Sequence, residues 1–246
     1  MGKNKLKKFA EMKGFRCVVE APCYNLENTD FPLKGNWNTE FFSSPAPIVL
    51  ELGCGKGEYT VGLSLRNPDR NFLGVDIKGA RIYTGAKTVE EQNLPNAGFL
   101  RTQIECLPAF FAPGEVSELW ITFPDPQLKK TNKRLTSTRF LGYYRRFMGP
   151  DGVINLKTDS PFLYEYTRRL AETNGLEILD STADLYARPG DAPEKEIKTF
   201  YEQQWLSRGK SIKLLKFRLG SGPLIEPDVS DLEPDDYRAA ARFNRS

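Results

Sequence analysis

Histidine is missing from all 246 residues of the chain, and its absence removes whole classes of chemistry. Ser-His-Asp and Cys-His nucleophilic catalysis are excluded, as is every histidine-ligated metal. Proton shuttling near neutral pH would fall to a shifted Asp, Glu, Lys or Cys. A reaction that removes no proton before its slow step suits this composition best. Cysteine is scarce too. Cys17, Cys23, Cys54 and Cys106 form no Cys-x-x-Cys pair, so four reduced thiols and no metal are expected. Long apolar runs are also lacking. No stretch of about 18 apolar residues could cross a membrane, and no apolar signal core follows the basic Met1–Lys8. The expectation is a soluble cytoplasmic protein with no membrane partner.

What is present is an ordinary globular composition, 39% hydrophobic and 27% charged. The net charge of +3 hides an uneven distribution. Residues 1–16 carry six Lys/Arg against Glu11, and residues 129–146 carry seven with no acid. Residues 223–236 carry six acids and no base. A polyanionic partner fits such a surface, although solvated charge runs also occur for no such reason.

Three segments follow from this reading. Residues 1–45 form a basic N-terminal arm and 46–222 the main domain. Residues 223–246 form an acidic, loosely held tail. From residue 48 the pattern is regular. Strands are predicted at 48–53, 71–76, 97–102, 118–124, 153–157, 176–180 and 212–219, with helices at about 58–67, 79–92, 136–147 and 161–173. The alternation implies an α/β fold with a mostly parallel seven-stranded sheet, helices on both faces and the last strand antiparallel. In such sheets a ligand lies beyond the carboxyl ends of the strands.

After the first strand stands Glu51-Leu-Gly53-Cys-Gly55-Lys-Gly57. A dinucleotide fingerprint needs glycine where Glu58 stands, and a P-loop spacing is absent. The glutamate would repel a pyrophosphate but attract a ligand ammonium group. Asp76, at the end of the second strand, is spaced to accept two ribose hydroxyls. Together these features suit S-adenosylmethionine. Thr102 and Gln103 follow the third strand, where an adenine-edge contact or a plain loop would come. After the fourth strand, Phe123-Pro-Asp125-Pro126 holds a carboxylate between two prolines, with Lys129, Lys130, Lys133 and Arg134 following at once. Asp159 follows the fifth strand, either to cap the helix beginning at Pro161 or to meet a substrate. Thr199 and Glu202 have capping-box spacing.

Glu51 to Gly57, Phe123 to Pro126 with Lys129, Lys157-Thr-Asp159 and Thr199-x-x-Glu202 resemble the tRNA (guanine-N7-)-methyltransferase family over about residues 45–220. The resemblance implies a Rossmann-like class I methyltransferase fold. It also implies S-adenosylmethionine as cofactor and transfer of its methyl group to N7 of a guanine at position 46 in the tRNA variable loop. Carried onto this sequence, it implies cofactor contacts at Glu51, Gly53, Gly55, Asp76, Thr102, Gln103 and Asp125. Substrate contacts fall at Lys129, Asp159, Thr199 and Glu202, with Asp125 and Asp159 as the catalytic carboxylates. N7 carries no proton, so its attack needs no general base. The basic arm, residues 129–146 and Lys210–Arg218 would grip phosphates of the tRNA partner. The alternatives are a same-fold enzyme for an exocyclic amine or small molecule, and a catalytically silent tRNA-binding subunit. Monomer and homodimer both remain open.

Overall fold

The computed structural model describes residues 3–21 and 31–235. Eight strands form one sheet in the order β1-β4-β3-β2-β5-β6-β8-β7. The central five are β2 (Ile48–Leu52), β3 (Asn71–Asp76), β4 (Ala97–Arg101), β5 (Val116–Thr122) and β6 (Met148–Thr158), all parallel. β8 (Lys213–Arg218) runs antiparallel between β6 and β7 (Ile178–Thr182). The expected antiparallel last strand is therefore present, and the sheet has one strand more than predicted. The addition is β1 (Val18–Glu20), which pairs with the edge of β4. Three residues are too few to show an alternating pattern.

The strands are nearly continuous apolar runs because both faces are covered. In β2, Ile48, Leu50 and Leu52 enter a core lined by Phe110, Tyr144, Phe147 and Leu170, while Val49 points to Tyr59 and Trp120 on the other face. α2 (Glu58–Arg66) and α3 (Gly79–Gln92) pack beside β3 and β4, while α5 (Thr138–Tyr144) and α6 (Pro161–Thr173) line the first core. Between them α4 (Leu107–Phe110) contributes Phe110.

The segment read as a basic arm carries both core and surface. α1 (Lys3–Met12) lies on α3, with Glu11 accepting from the Tyr83 hydroxyl at 2.7 Å and Met12 buried. Trp37 is wholly buried, its indole N–H donating to the Phe110 carbonyl at 2.9 Å. Residues 22–30, with Cys23, lie outside the described part. Cys17 and Cys54 are free thiols. Cys106 is disulfide-bonded, which departs from the expected four reduced thiols. At the other end, Leu224, Val229 and Leu232 of the expected loose tail rest against the core. Residues 236–246 of that tail lie outside the described part.

Candidate active site

Strand order reverses between β2 and β5, and in open α/β sheets that switch opens a crevice at the carboxyl ends. The chain fills it with the turn Gly53–Gly57. Gly53, Gly55 and Gly57 all have positive φ, at 73°, 56° and 73°. Gly57 is also sterically obligatory: a Cβ there would stand 2.5 Å from the Phe99 ring. Above Gly53 the situation is opposite, with nothing within 4 Å of a Cβ. The turn is thus packed tightly beneath and open above, as a cradle for a ligand requires.

Glu51, last but one in β2, lies under this turn and is almost fully buried. Its Oε2 accepts from the Thr60 N–H at 2.8 Å and the Thr60 hydroxyl at 2.5 Å, and its Oε1 from the Thr122 hydroxyl at 2.8 Å. These bonds tie the start of α2 to the end of β5. A carboxylate offers about four acceptor positions, so one remains for a ligand donor. Burial pushes the carboxyl up to about pKa 7, against the pull of the two threonines. No cation of the described chain is recorded as its ion-pair partner.

Asp76, closing β3, is pinned in a similar way. Its Oδ2 accepts from the Gly55 N–H at 2.9 Å and its Oδ1 from the Lys78 N–H at 2.8 Å. One lone pair on each oxygen is left over. Thr102, next after β4, is buried, and its hydroxyl has no hydrogen-bond partner. A buried orphan of this kind calls for a partner, which a ligand edge at the crevice could supply. Gln103 is exposed and precedes a short 3₁₀ turn without capping it. The open cradle, the spare acceptors and the orphan hydroxyl fit a nucleoside-bearing cofactor with an ammonium group.

At the end of β5 the backbone is strained. Phe123 and Gln127 have φ of 49° and 48°, each costing about 1–3 kcal/mol for a non-glycine residue. Between them Asp125 is exposed, its Oδ1 accepting from the Gln127 N–H at 2.9 Å. Lys129 is exposed as well. Arg134 is different from its basic neighbours. It is buried, donates to the carbonyls of Pro126 at 3.3 Å and Leu128 at 3.0 Å, and lies over the rings of Phe162 and Tyr166. It clamps the Asp125 loop onto α6 rather than facing a phosphate.

At the end of β6, Asp159 is buried, with the Lys210 ammonium 3.6 Å from its Oδ2. It does not cap α6. Ser160 does so, its hydroxyl accepting from the Leu163 N–H at 2.9 Å. The cap position falls one residue later because Pro161 occupies the first helical position.

Thr199 caps α8 (Phe200–Ser207) by accepting from the Glu202 N–H at 3.2 Å. The Glu202 side chain does not turn back to complete a capping box. It is fully buried, and its Oε1 meets the Lys157 ammonium at 2.8 Å and the Tyr186 hydroxyl at 2.7 Å. Lys157 also donates to the carbonyls of Glu194 at 2.6 Å and Ile197 at 3.2 Å. Burial lowers its pKa, with Glu202 opposing the shift. The pair bolts α7 (Pro193–Glu196) and α8 to the sheet. A second link holds α8 over the glycine turn: the Phe200 N–H donates to Glu58 at 3.0 Å, and the Lys56 ammonium lies 4.1 Å from the Phe200 ring centre. A cavity of about 110 Å³ collects Glu51, Gly53, Gly55, Thr122, Phe123, Thr199 and Tyr201.

A family model described as a putative methyltransferase matches residues 45–215. A curated tRNA (guanine-N(7)-)-methyltransferase of Bacteroides thetaiotaomicron is 53% identical, covering all of this chain and 98% of that relative. Another, of Porphyromonas gingivalis, is 52% identical over 96% of this chain and 98% of its own. The chain belongs to the tRNA (guanine-N(7)-)-methyltransferase family. Solved structures are more distant. The 16S rRNA methyltransferase KamB has a TM-score of 0.57 at 19% identity, covering 76% of this chain and 95% of that one. A 30S ribosomal A1408 methyltransferase from an uncultured bacterium has 0.57 at 16%, covering 78% and 96%. Both show the Rossmann-like class I methyltransferase fold, and only the fold.

In this tRNA (guanine-N(7)-)-methyltransferase family member, sequence reasoning passed over Thr60 and Thr122, the partners of Glu51. Their signal is weak, since a threonine opposite a buried carboxylate is visible only once the register aligns Glu51 with Gly74 and Trp120. Tyr186 was missed for the same reason. Of the basic stretch 210–218, Lys213 is buried, while Lys216 pairs with Glu194 and Arg218 with Glu177. Lys213 and Lys216 thus serve the fold, while Arg218 lies at the surface in a half-exposed pair.

Proposed function

We propose that the chain transfers the methyl group of S-adenosylmethionine to N7 of a guanine in tRNA, at position 46 of the variable loop. The observation that carries this reading is the distribution of carboxylates along one sheet edge. Glu51 and Asp76 flank an open glycine cradle, and Asp125 and Asp159 follow the two neighbouring strands, with no histidine anywhere in the chain.

S-adenosylmethionine would supply a sulfonium methyl group, and no metal is called for. Glu51 would offer its remaining acceptor position to the α-amino group, Asp76 its spare lone pairs to the ribose hydroxyls, and Thr102 its unpaired hydroxyl to the adenine edge. Gly53 and Gly55 allow close approach. Gln103 would contribute at the rim.

On the substrate side the chain's own groups orient and stabilise. Guanine presents N–H donors along its Watson–Crick edge, and Asp159 and Glu202 are acceptors suited to them. N7 has a free lone pair, so no residue has to remove a proton. The base gains positive charge as it is methylated, and Asp125 and Asp159, already fixed, stabilise that charge without reorganising. Most of the rate enhancement would come from positioning. Lys129 and Thr199 would contact the RNA, and the target base would leave its stack to enter.

The test is nucleoside mass spectrometry on unmodified tRNA incubated with the protein and S-adenosylmethionine. A 7-methylguanosine peak is expected. A different methylated nucleoside would overturn the assignment of the target atom.

A further inference from the structure

Helix α8 is inside out. A surface helix turns its apolar residues to the core and its charged ones to water. Here Glu202 is completely buried, while Phe200 and Tyr201 are 44% and 38% exposed. Methyl transfer as described gives Glu202 a use but leaves the two rings without one. A single exposed apolar side chain needs no explanation, but a pair of large rings on a fixed support does. The support is fixed at three points: Thr199 caps the helix, the Lys157–Glu202 pair holds it from below, and Glu58 accepts from the Phe200 N–H at 3.0 Å. Rings on such a base have only two side-chain torsions each to order on contact.

The rings stand at the mouth of the crevice. Tyr201 lines the same cavity as Glu51, Gly53 and Thr199. Its ring and that of Phe200 are nearly perpendicular, at 74° with centres 5.8 Å apart. A flat group lying on one ring therefore meets the edge of the other. Cations accompany the aromatics along the helix. The Lys56 ammonium is 4.1 Å from the Phe200 ring centre, and Arg208 and Lys210 lie 5.0 and 4.8 Å from that of Trp205. Tyr201 and Trp205, four residues apart, share a face of α8. Lys210 in turn lies beside Asp159. Aromatics and cations thus alternate from the glycine turn to the carboxylate assigned to the guanine. An apolar protein partner would be poorly matched by so many charges, whereas unpaired RNA offers flat bases on an anionic backbone.

We propose that Phe200 and Tyr201 form a stacking platform for the nucleotide adjoining the target guanine in the substrate RNA. This rests on the reading of the chain as a tRNA methyltransferase. A base that leaves its stack to react bares the face of its neighbour, and a ring at the mouth of the crevice replaces the lost contact. Tyr201 takes the face of that neighbouring base, Phe200 borders its edge, and Lys56 adds charge for the backbone. Every base has a π-face, so the platform positions the strand without selecting a sequence.

The experiment measures tRNA affinity and methylation for the full chain and for the Tyr201→Ala, Phe200→Ala, Tyr201→Phe and Phe200→Tyr variants, with thermal melting to verify the fold. Each is tested on a normal transcript and on transcripts with an abasic residue on either side of the target guanine. Tyr201→Ala should weaken binding of the normal transcript about tenfold, the loss of one base–ring stack, and Phe200→Ala should weaken it less. The variants that keep a ring should retain most of the affinity. One of the two abasic transcripts should bind the unaltered chain about tenfold more weakly. On that transcript Tyr201→Ala should cost little more, the non-additivity expected of two groups in contact. A merely structural role would give the same loss on every transcript, and that result, beside normal methylation by the unaltered chain, would overturn the platform alone. Unchanged affinity in both alanine variants would also overturn it, leaving the rings to a second copy of the chain or another protein. Absence of any methylation by the unaltered chain would instead strike the reading beneath it.

Discussion

The two halves of the crevice handle buried charge in opposite ways. On the side proposed for the cofactor, Glu51 and Asp76 are held by backbone N–H groups and threonine hydroxyls. On the side proposed for the substrate, Glu202 and Asp159 face lysines, Lys157 at 2.8 Å and Lys210 at 3.6 Å. Acids held by neutral donors keep their attraction for an incoming cation, as a sulfonium or an ammonium requires. Acids beside lysines are partly balanced, which suits a base that arrives neutral and becomes positive only as it is methylated. The contrast separates the place where positive charge enters from the place where it ends.

The largest effect should come from breaking the buried pair. Lys157→Met leaves Glu202 buried without its cation, and loss of about 3–5 kcal/mol of stability is expected, read by denaturant unfolding. Next is Asp159→Asn, which should lower turnover about 100-fold if a preorganised charge is lost from the transition state. Cofactor affinity, read by calorimetry, should stay the same. An equal loss in both would erase the distinction between the halves.

A third, smaller effect concerns pH. Burial holds the Glu51 carboxyl near pKa 7, so the neutral form predominates below that pH while only the carboxylate attracts a cation. Cofactor binding should therefore weaken by up to about tenfold per pH unit below 7 and level off above it. Glu51→Gln should flatten the profile. For the fold alone the sign is reversed: a carboxyl with a raised pKa favours the folded state at low pH, and that contribution fades as pH climbs through 7. Smallest is the surface link between α2 and α7. Arg66 and Glu196 are half-exposed, and Arg66→Gln should cost less than about 1 kcal/mol.

Much of this crevice is legible in the sequence. Strand ends announce themselves by apolar runs that stop at glycine or an acid, and Glu51, Asp76, Asp125 and Asp159 all stand at or shortly after one. Helices 79–92 and 161–173 match their predicted bounds because their apolar positions recur at helical spacing. Partners distant in sequence are another matter. Lys157 meets Glu202 across 45 positions and Asp235 reaches Ser160 across 75, and no local pattern encodes such closures. Short elements such as β1 and α4 are also silent, held by neighbours rather than by their own propensity. Charge misled where burial was hidden, as with Arg134, which looks like a phosphate contact and is a clamp.

The most direct test uses two tRNA transcripts that differ at one atom. The first carries guanosine at the target position and the second 7-deazaguanosine, with CH in place of N7. Methyl transfer from labelled S-adenosylmethionine to both should be counted alongside their affinities. One methyl group on the guanosine transcript and none on the deaza transcript, with similar binding of both, is the expected result. Undiminished transfer to the deaza transcript would contradict N7 as the nucleophile.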